Sequence, residues 1–459
     1  MFDNLKKLIE ENFCFSPNRN QITEIERLIF EIMRRENTDL EKILEYLKND
    51  IEIKKYSGRN IFFGIKKSLI KKRFPLASSK EKIDTKKIFL NRIPEILIDD
   101  FKTKENFLPE VLFVENEIKD GFLVERFKNF YPNIKIVELN LYNEYIQKNK
   151  FSIKELKRPL VFLIKERNDF IKPCPCTKKV VGCGYWILNV AFGCPFDCSY
   201  CFLQCYSNFP GIIIAENLED FFVEIDNLYK KIKRPIRLGT GEFSDSLALD
   251  HITEYSKKFI EYFKGKNILF ELKTKSKNIE NLLNTKPIEN IIISWSLNPQ
   301  IIIETEELST ASLEERIKSA YLLQKAGYKL AFHFDPIIYV DNWEGLYKEV
   351  IDKLYKNLKP PFSWVSLGTL RSHRKLKTVV EQRFPKSNIF YGELFISEDK
   401  KLRYPDFLRK DTYSKMLNYI REYDAQTPIY LCMEDLQIWQ VMDKKILSSS
   451  ELEKYLLRI

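Results

Sequence analysis

Between Asn20 and Arg35 the apolar residues Ile22, Ile25, Leu28, Ile29 and Ile32 recur at three- and four-residue steps, so they share one face of a helix. Thr38 followed by Glu41 is a capping-box pattern, which predicts a second helix over 40–47. A third, over 61–74, carries Lys66, Lys67, Lys71, Lys72 and Arg73, and Pro75 is expected to close it. From about residue 86 the period changes. Residues 110–115 read as a strand, 118–131 as a helix and 134–139 as a second strand, one β–α–β unit. Farther on, apolar strand patterns at 186–192, 236–240, 268–274, 291–297, 330–336 and 364–367 alternate with helical patterns at 252–263, 313–326 and 344–358. Such alternation predicts a parallel sheet with right-handed crossovers, either an open barrel or a doubly wound sheet. Chemistry in such folds collects at the carboxyl ends of the strands.

These changes of pattern place boundaries near residues 80, 180 and 370. They define a helical N-terminal domain (1–80), a small α/β domain (81–180), the main α/β region (181–370) and a C-terminal α/β extension (371–459). A chain of 459 residues exceeds the usual single core, which agrees with several domains. With 44% hydrophobic and 14% aromatic residues it is packed and globular, which excludes a disordered chain. A formal charge of +10 permits a polyanionic partner, as does the basic third helix. A small helical appendage with a solvated basic face is the commoner explanation of such a helix. No run of about 20 apolar residues occurs and the N-terminus lacks the layout of a signal peptide, so a cytoplasmic location without membrane contact is expected.

Seven of the nine cysteines lie between Cys174 and Cys205, leaving only Cys14 and Cys432 outside. In a reducing compartment such clustering points to metal or cluster ligation rather than to disulfides. Cys194, Cys198 and Cys201 form a Cys-x3-Cys-x2-Cys loop. Three thiolates so spaced can hold three irons of a cubane and leave the fourth open to a small ligand. Zinc is the alternative, but it ordinarily takes a fourth Cys or His, and His251, His333 and His373 are all distant in sequence.

The cysteine loop continues Phe-Leu-Gln, and beyond it stand Asn217-Leu-Glu, Ser244-Asp245-x-Leu-Ala-Leu-Asp250, Thr274-Lys275 and Ser296-Leu-Asn298. Ala326-Gly327-Tyr328, Asp335-Pro336-Ile337, Trp343-Glu344 and Val380-Glu381-Gln382-Arg383-Phe384-Pro385 follow. In these motifs, spread over roughly 109–432, the chain resembles the radical S-adenosylmethionine superfamily and, within it, the spore photoproduct lyase family. The resemblance implies an α/β fold built as a partial (β/α)6 barrel, preceded here by the β–α–β unit and the helical N-terminal domain. It also implies a [4Fe–4S] cluster on Cys194, Cys198 and Cys201, with S-adenosyl-L-methionine as the cofactor, cleaved reductively to a 5′-deoxyadenosyl radical. An electron donor such as a flavodoxin or ferredoxin, and a DNA or RNA substrate, would go with it. By position Ser244, Lys275, Ser296 and Asp335 match cofactor contacts of the family. Gly239-Thr-Gly241-Glu242 resembles the glycine–glutamate signature that holds the methionine ammonium. Each has a plain competitor, since a strand-end Ser often caps a helix and Lys275 can be solvated.

The chain also departs from the family. Where spore photoproduct lyases carry a hydrogen-donating cysteine, Glu242 stands here, and Phe202 replaces the tyrosine that follows the third cluster cysteine. A carboxylate does not return a hydrogen atom as a thiol does, so Tyr200, Cys183 and Cys205 become the candidate donors. Cys174, Cys176, Cys183 and Cys205 could instead hold an auxiliary Fe–S cluster or zinc, or remain free thiols. Three readings follow: a radical enzyme acting on DNA or RNA, one acting on a peptide or small molecule, and a non-catalytic zinc protein that binds nucleic acid.

Overall fold

The computed structural model describes residues 4–80, 82–94, 107–156, 158–177, 179–442 and 445–457. Two compact units emerge, one of Met1–Ile98 with Arg371–Leu408, the other of Asp99–Leu370 with Arg409–Ile459. Among the described residues no helix is long and apolar enough to cross a membrane.

In the first unit the helices Arg19–Glu36, Leu40–Asn49 and Ile61–Arg73 appear where periodicity predicts them. The cap of the second is Asp39 rather than Thr38: the Asp39 carboxylate accepts from Lys42 N, because Asp39 is the last residue with extended backbone. The third helix ends at Arg73, capped by Phe74, just before Pro75 as expected, and Pro75 also opens the short helix Pro75–Lys80, where a missing N–H costs nothing. Ile25, Leu28, Ile29 and Ile32 pack with Ile65 and Leu69 in one core. The basic helix is largely neutralised, Lys66 pairing with Glu24, Lys67 with Glu52 and Lys72 with Glu36. Buried Glu31 is ringed by Arg27, Arg73 and Lys377, whose charges outweigh the cost of burial and hold it at about 2. A three-stranded antiparallel sheet of Arg371–His373, Lys401–Arg403 and Phe395–Ile396 completes the unit.

Among the described residues the second unit holds two large sheets and one two-stranded pair, Asp197–Cys198 with Glu307–Leu308. Its strands are β1 Val111–Glu115, β2 Lys135–Leu139, β3 Leu160–Ile164, β4 Ile171–Pro173, β5 Tyr185–Leu188, β6 Ala191–Phe192, β7 Asp197–Cys198 and β8 Ile212–Ala215. They continue with β9 Ile236–Thr240, β10 Ile268–Thr274, β11 Ile291–Ser296, β12 Glu307–Leu308, β13 Lys329–Ile337, β14 Val365–Thr369 and a last strand Ile429–Leu431. The smaller sheet runs β2-β1-β3-β8-β6, parallel except for β6. The larger places Ile429–Leu431 at one edge, followed by β14-β13-β11-β10-β9-β5-β4, parallel except for β4. The expected strand 186–192 is therefore two: β5 stays in the large sheet and β6 crosses to the small one. The expected helix 252–263 is likewise broken, at Glu254, which takes a left-handed φ of 51° between Asp250–Thr253 and Tyr255–Phe263.

Along the large sheet the side chains alternate. Leu238, Phe270, Leu272, Ile293, Trp295, Phe332 and Phe334 join the main core under the helices Leu218–Ile232, Tyr255–Phe263, Leu313–Ala326 and Trp343–Asn357. Arg237, Glu271, Lys273, Ser294, Ser296 and His333 occupy the other face. That face is concave. His333 Nε2 on β13 reaches Glu271 on β10 at 2.7 Å although β11 lies between, and Arg237 on β9 stacks at 4.1 Å on Trp364, next to β14.

Candidate active site

The cysteine loop leaves β6 through Gly193, whose φ is +89° and whose N–H donates to the Phe243 carbonyl at 2.9 Å. A Cβ there would stand 2.5 Å from the Gly211 carbonyl oxygen, so only glycine lets the loop turn this tightly against β8. The loop is then clamped by β7, which pairs antiparallel with β12 so that Cys198 faces Glu307. Ser199 N donates to Glu306 O at 2.8 Å, and Gln204 Nε2 donates to Cys198 O at 2.5 Å and Ser199 O at 3.2 Å.

Glu307 is the hub of this clamp. It accepts from Arg316 Nη2 at 2.6 Å, from Asn298 Nδ2 at 2.8 Å and from the Tyr200 hydroxyl, and Lys275 Nζ lies 3.9 Å away. Burial alone would raise its pKa, but the Arg316 and Lys275 charges with these hydrogen bonds hold it at about 2. Arg316 itself is tied to the carbonyls of Ser296 and Ala311, each at 2.9 Å. Sequence reasoning missed this brace. The readable signal was Arg316 itself, set among Leu313, Ile317, Ala320 and Leu323 on the buried face of its helix.

The three loop thiols act on one another electrostatically. Burial pushes the Cys198 thiol well up while Lys275 opposes it, and Cys201 and Cys194 also contribute. Among the described residues no three His, Cys, Asp or Glu side chains gather as they would around one metal ion. A cubane asks for a different arrangement, because each thiolate meets a separate iron. Three soft donors on a clamped loop beside the Lys275 ammonium suit such a cluster.

The expected cofactor residues come from the neighbouring strand ends. Lys275 follows β10, with its Nζ 5.7 Å from the centre of the Tyr200 ring. Its backbone is fixed by Asp245, which accepts from Lys275 N at 2.7 Å, Thr274 Oγ1 at 2.6 Å, Leu247 N at 3.0 Å and Ala248 N at 2.9 Å. Asp245 thus staples the loop after β9 to the end of β10. Ser244 borders a cavity of about 40 Å³ with Thr240, Gly241 and Ser246, too small for a nucleoside cofactor. Ser296 ends β11 and is buried, and Asp335 lies on β13, where its charge acts on Lys273. Glu242 ion-pairs with Lys273, which Glu242 and Glu271 hold above the usual ammonium range despite burial. The expected Glu242 therefore has a lysine partner that sequence reasoning did not assign.

Of the expected hydrogen donors, Tyr200 is anchored to Glu307, and burial raises its pKa well above the ordinary value. Cys205 lies on the short helix Leu203–Tyr206 just after the cysteine loop. Cys183 lies before β5, at the other end of that strand from the loop. The expected auxiliary site on Cys174, Cys176, Cys183 and Cys205 is not supported, because β5 and the loop separate Cys205 from the other three. Cys174 and Cys176 do meet, Sγ to Sγ at 3.8 Å, beside the Glu242–Lys273 pair.

A family model described as spore photoproduct lyase matches residues 131–419, more than half of the chain. The chain is 31% identical over 216 residues to the spore photoproduct lyase of Bacillus subtilis (strain 168), covering 45% of this chain and 63% of that protein. It is 34% identical over 170 residues to that of Clostridium acetobutylicum, covering 36% of this chain and 50% of the other. It thus spans less than two thirds of the length of these curated relatives. A solved spore photoproduct lyase complexed with dinucleoside spore photoproduct is similar with a TM-score of 0.62 at 24% identity, over 71% of this chain and 100% of that one. A variant with bound AdoMet and the same dinucleoside gives 0.61. These structures share the mixed α/β fold with a curled parallel sheet, and the chain belongs to the spore photoproduct lyase family.

Proposed function

We propose that the chain is a radical S-adenosylmethionine enzyme with a [4Fe–4S] cluster on Cys194, Cys198 and Cys201, acting on a thymine lesion of the spore photoproduct type in DNA. The observation that carries this is the cysteine loop, three thiols clamped by Gly193, by the β7–β12 pair and by Glu307. The large sheet would then be the partial (β/α)6 barrel of the superfamily, with the loop at its carboxyl end. When bound to a reduced cluster, S-adenosylmethionine supplies a 5′-deoxyadenosyl radical for hydrogen abstraction. This chain's part is placement. Lys275 offers an ammonium for the methionine carboxylate, held in position by Asp245 at its backbone and balanced by Glu307. Ser244, Ser296 and Asp335 present hydroxyls and a carboxylate from adjacent strand ends for the ribose and the methionine ammonium. Glu242 would take that ammonium by giving up part of its contact with Lys273. A flavodoxin- or ferredoxin-type protein would deliver the electron.

The test is anaerobic reconstitution with iron and sulfide, then incubation with S-adenosylmethionine, dithionite and duplex DNA carrying spore photoproduct. Release of 5′-deoxyadenosine with restored thymine is expected, the hydrogen atom that the product radical needs coming from Tyr200, Cys183 or Cys205 and leaving the radical on that donor. No 5′-deoxyadenosine from a fully reconstituted protein would sink the proposal. A second reading, a radical enzyme for another substrate, draws on one observation: the Glu242–Lys273 ion pair fills the place where the family carries its hydrogen-donating thiol. 5′-Deoxyadenosine without restored thymine would select it.

A further inference from the structure

Parallel sheets usually bury apolar residues on both faces. The concave face here buries ions instead, and all but one of those charges meet a hydrogen-bonded partner. Lys273 has Glu242, and Glu271 has His333, whose Nδ1 in turn meets Ser366 Oγ at 2.6 Å. Arg237 is the exception. It is 1% exposed, and its Nε, Nη1 and Nη2 all lack a hydrogen-bond partner. Aromatic rings cover the guanidinium, Trp364 at 4.1 Å, Tyr185 at 5.5 Å and Tyr430 at 5.6 Å from its central carbon. Stacking of this kind satisfies the faces of the cation and leaves its N–H edges bare.

Two neighbours repeat the deficit. Trp364 Nε1 and Tyr185 Oη are buried and equally without partners. The Tyr185 hydroxyl lies over β9 where a Cβ on Gly239 would be, so glycine at that position is what admits it beside Arg237. Three buried donor groups are therefore gathered at one cation, and the acceptor that acts on it, the Tyr430 phenol, is a neutral oxygen that can match one N–H but not the whole fork. Glu271 acts on the guanidinium through space but is hydrogen-bonded to His333. The Cys183 thiol and the Tyr430 phenol are also near, and burial holds both above their ordinary pKa values, so they stay neutral.

We propose that Arg237, with Trp364 Nε1–H and Tyr185 O–H, binds a small resident oxyanion of the carboxylate or phosphate class on the concave face of the large sheet. The planar N–H fork of arginine fits two oxygens of one such group. Its near-complete burial selects a free ion rather than the end of a large substrate. The site rests on this geometry alone and stands whatever reaction the cysteine loop supports.

The experiment is a crystal of the full chain grown without added oxyanion, a second soaked in selenate, and thermal unfolding followed against phosphate and acetate concentration. Density for a small oxyanion in the first crystal, or an anomalous selenium peak within hydrogen-bond distance of the guanidinium in the second, is expected. Phosphate or acetate should raise the Tm of the unaltered chain, and Arg237→Met should remove both the peak and the rise. Water alone at the guanidinium, a direct Glu271–Arg237 contact, or a selenate peak with no effect of millimolar phosphate or acetate would overturn it. So would density that appears only when a nucleic-acid or peptide substrate is added. Should Arg237→Met fail to fold, the unaltered crystals and Arg237→Lys, which keeps the charge but loses the fork, decide the matter.

Discussion

The central strands of the two larger sheets of the second unit are equally buried and differently built. In the small sheet β3 reads Leu-Val-Phe-Leu-Ile and β8 Ile-Ile-Ile-Ala, and every residue of both is buried. Leu160, Phe162 and Ile164 pack to one side while Val161 and Leu163 join the main core on the other. In the large sheet β10 contains Phe-Glu-Leu-Lys-Thr, β11 ends Ile-Ser-Trp-Ser and β13 contains Phe-His-Phe-Asp. Here the same degree of burial covers apolar residues on the convex side and ions on the concave side. Desolvating an ion costs far more than desolvating a methyl group, so a buried face that is polar on strand after strand is kept for something other than stability. The comparison separates a sheet whose faces are both spent on apolar packing from one whose concave face is spent on charges.

The hardest test of that separation is the cysteine loop, where both sheets meet through β5 and β6. Cys198→Ala removes the thiol opposite Glu307, and with two thiolates left a four-iron cubane would have two irons unheld instead of one. Loss of the reconstituted cluster and of S-adenosylmethionine cleavage is expected, while the fold persists. Iron and sulfide analysis, absorbance and 5′-deoxyadenosine release measure it. A full cluster with undiminished cleavage would break the assignment.

Next in size is the Glu307 hub. Its folded pKa of about 2 lies below the ordinary carboxylate value of roughly 4.3, so its ionised form is favoured by folding. That contribution is whole above about pH 5 and fades as the pH falls toward 2. Glu31 and Glu271, also held at about 2, add to the same acid limb. Asp245, raised by burial, works in the opposite direction. Glu307→Gln leaves Arg316 buried without its counter-charge, so stability near neutral pH should fall by about 3–5 kcal/mol. The variant should also lose less between pH 5 and 2 than the unaltered chain does. Denaturation at a series of pH values would show it, and parallel curves would count against the brace.

How far these regions were legible depends on how local their causes are. The strands 236–240 and 268–274 and the helix 313–326 emerge with the boundaries the pattern predicts, because each is an apolar period closed by residues that stop it. β3 and β8 went unread, since four or five apolar residues beside a motif carry no period of their own. The cysteine triad was legible because its spacing lies within one loop. The Glu307 clamp was not, since it joins positions more than a hundred residues apart that only β7–β12 pairing brings together. Glu242 was read as a cofactor residue with no protein partner named, for the same reason. Its partner Lys273 sits one strand away, and alternation along Phe-Glu-Leu-Lys-Thr held the clue.

Adjacent residues of β10 give the sharpest contrast at intermediate size. Leu272 faces the helices, and Leu272→Ala should cost about 2–5 kcal/mol of stability with S-adenosylmethionine affinity unchanged. Glu242→Gln, whose partner is the neighbouring Lys273, should weaken that affinity by about 10- to 150-fold, the worth of a charge-assisted contact of about 1.5–3 kcal/mol. Unfolding curves and equilibrium binding of S-adenosylmethionine read the two effects separately. Equal losses of affinity in both variants would erase the distinction between the faces.

The smallest effects discriminate best, because they can be matched in energy and still differ in kind. Ile164→Val shortens one side chain at the end of β3, and such a change typically costs about 0.5–1.5 kcal/mol. Ser366→Ala removes the hydroxyl that meets His333 Nδ1, a net loss of about 0.5–1.5 kcal/mol for a single hydrogen bond. Unfolding should hardly tell the two apart. Turnover should, because Ile164 packs in the apolar cluster of the small sheet, whereas Ser366 meets the His333 ring that holds Glu271 beside Arg237 and Lys273. The rate of 5′-deoxyadenosine formation should be unchanged in Ile164→Val and fall in Ser366→Ala. An unchanged rate in Ser366→Ala would mean that the polar chain from Ser366 to Glu271 serves packing only.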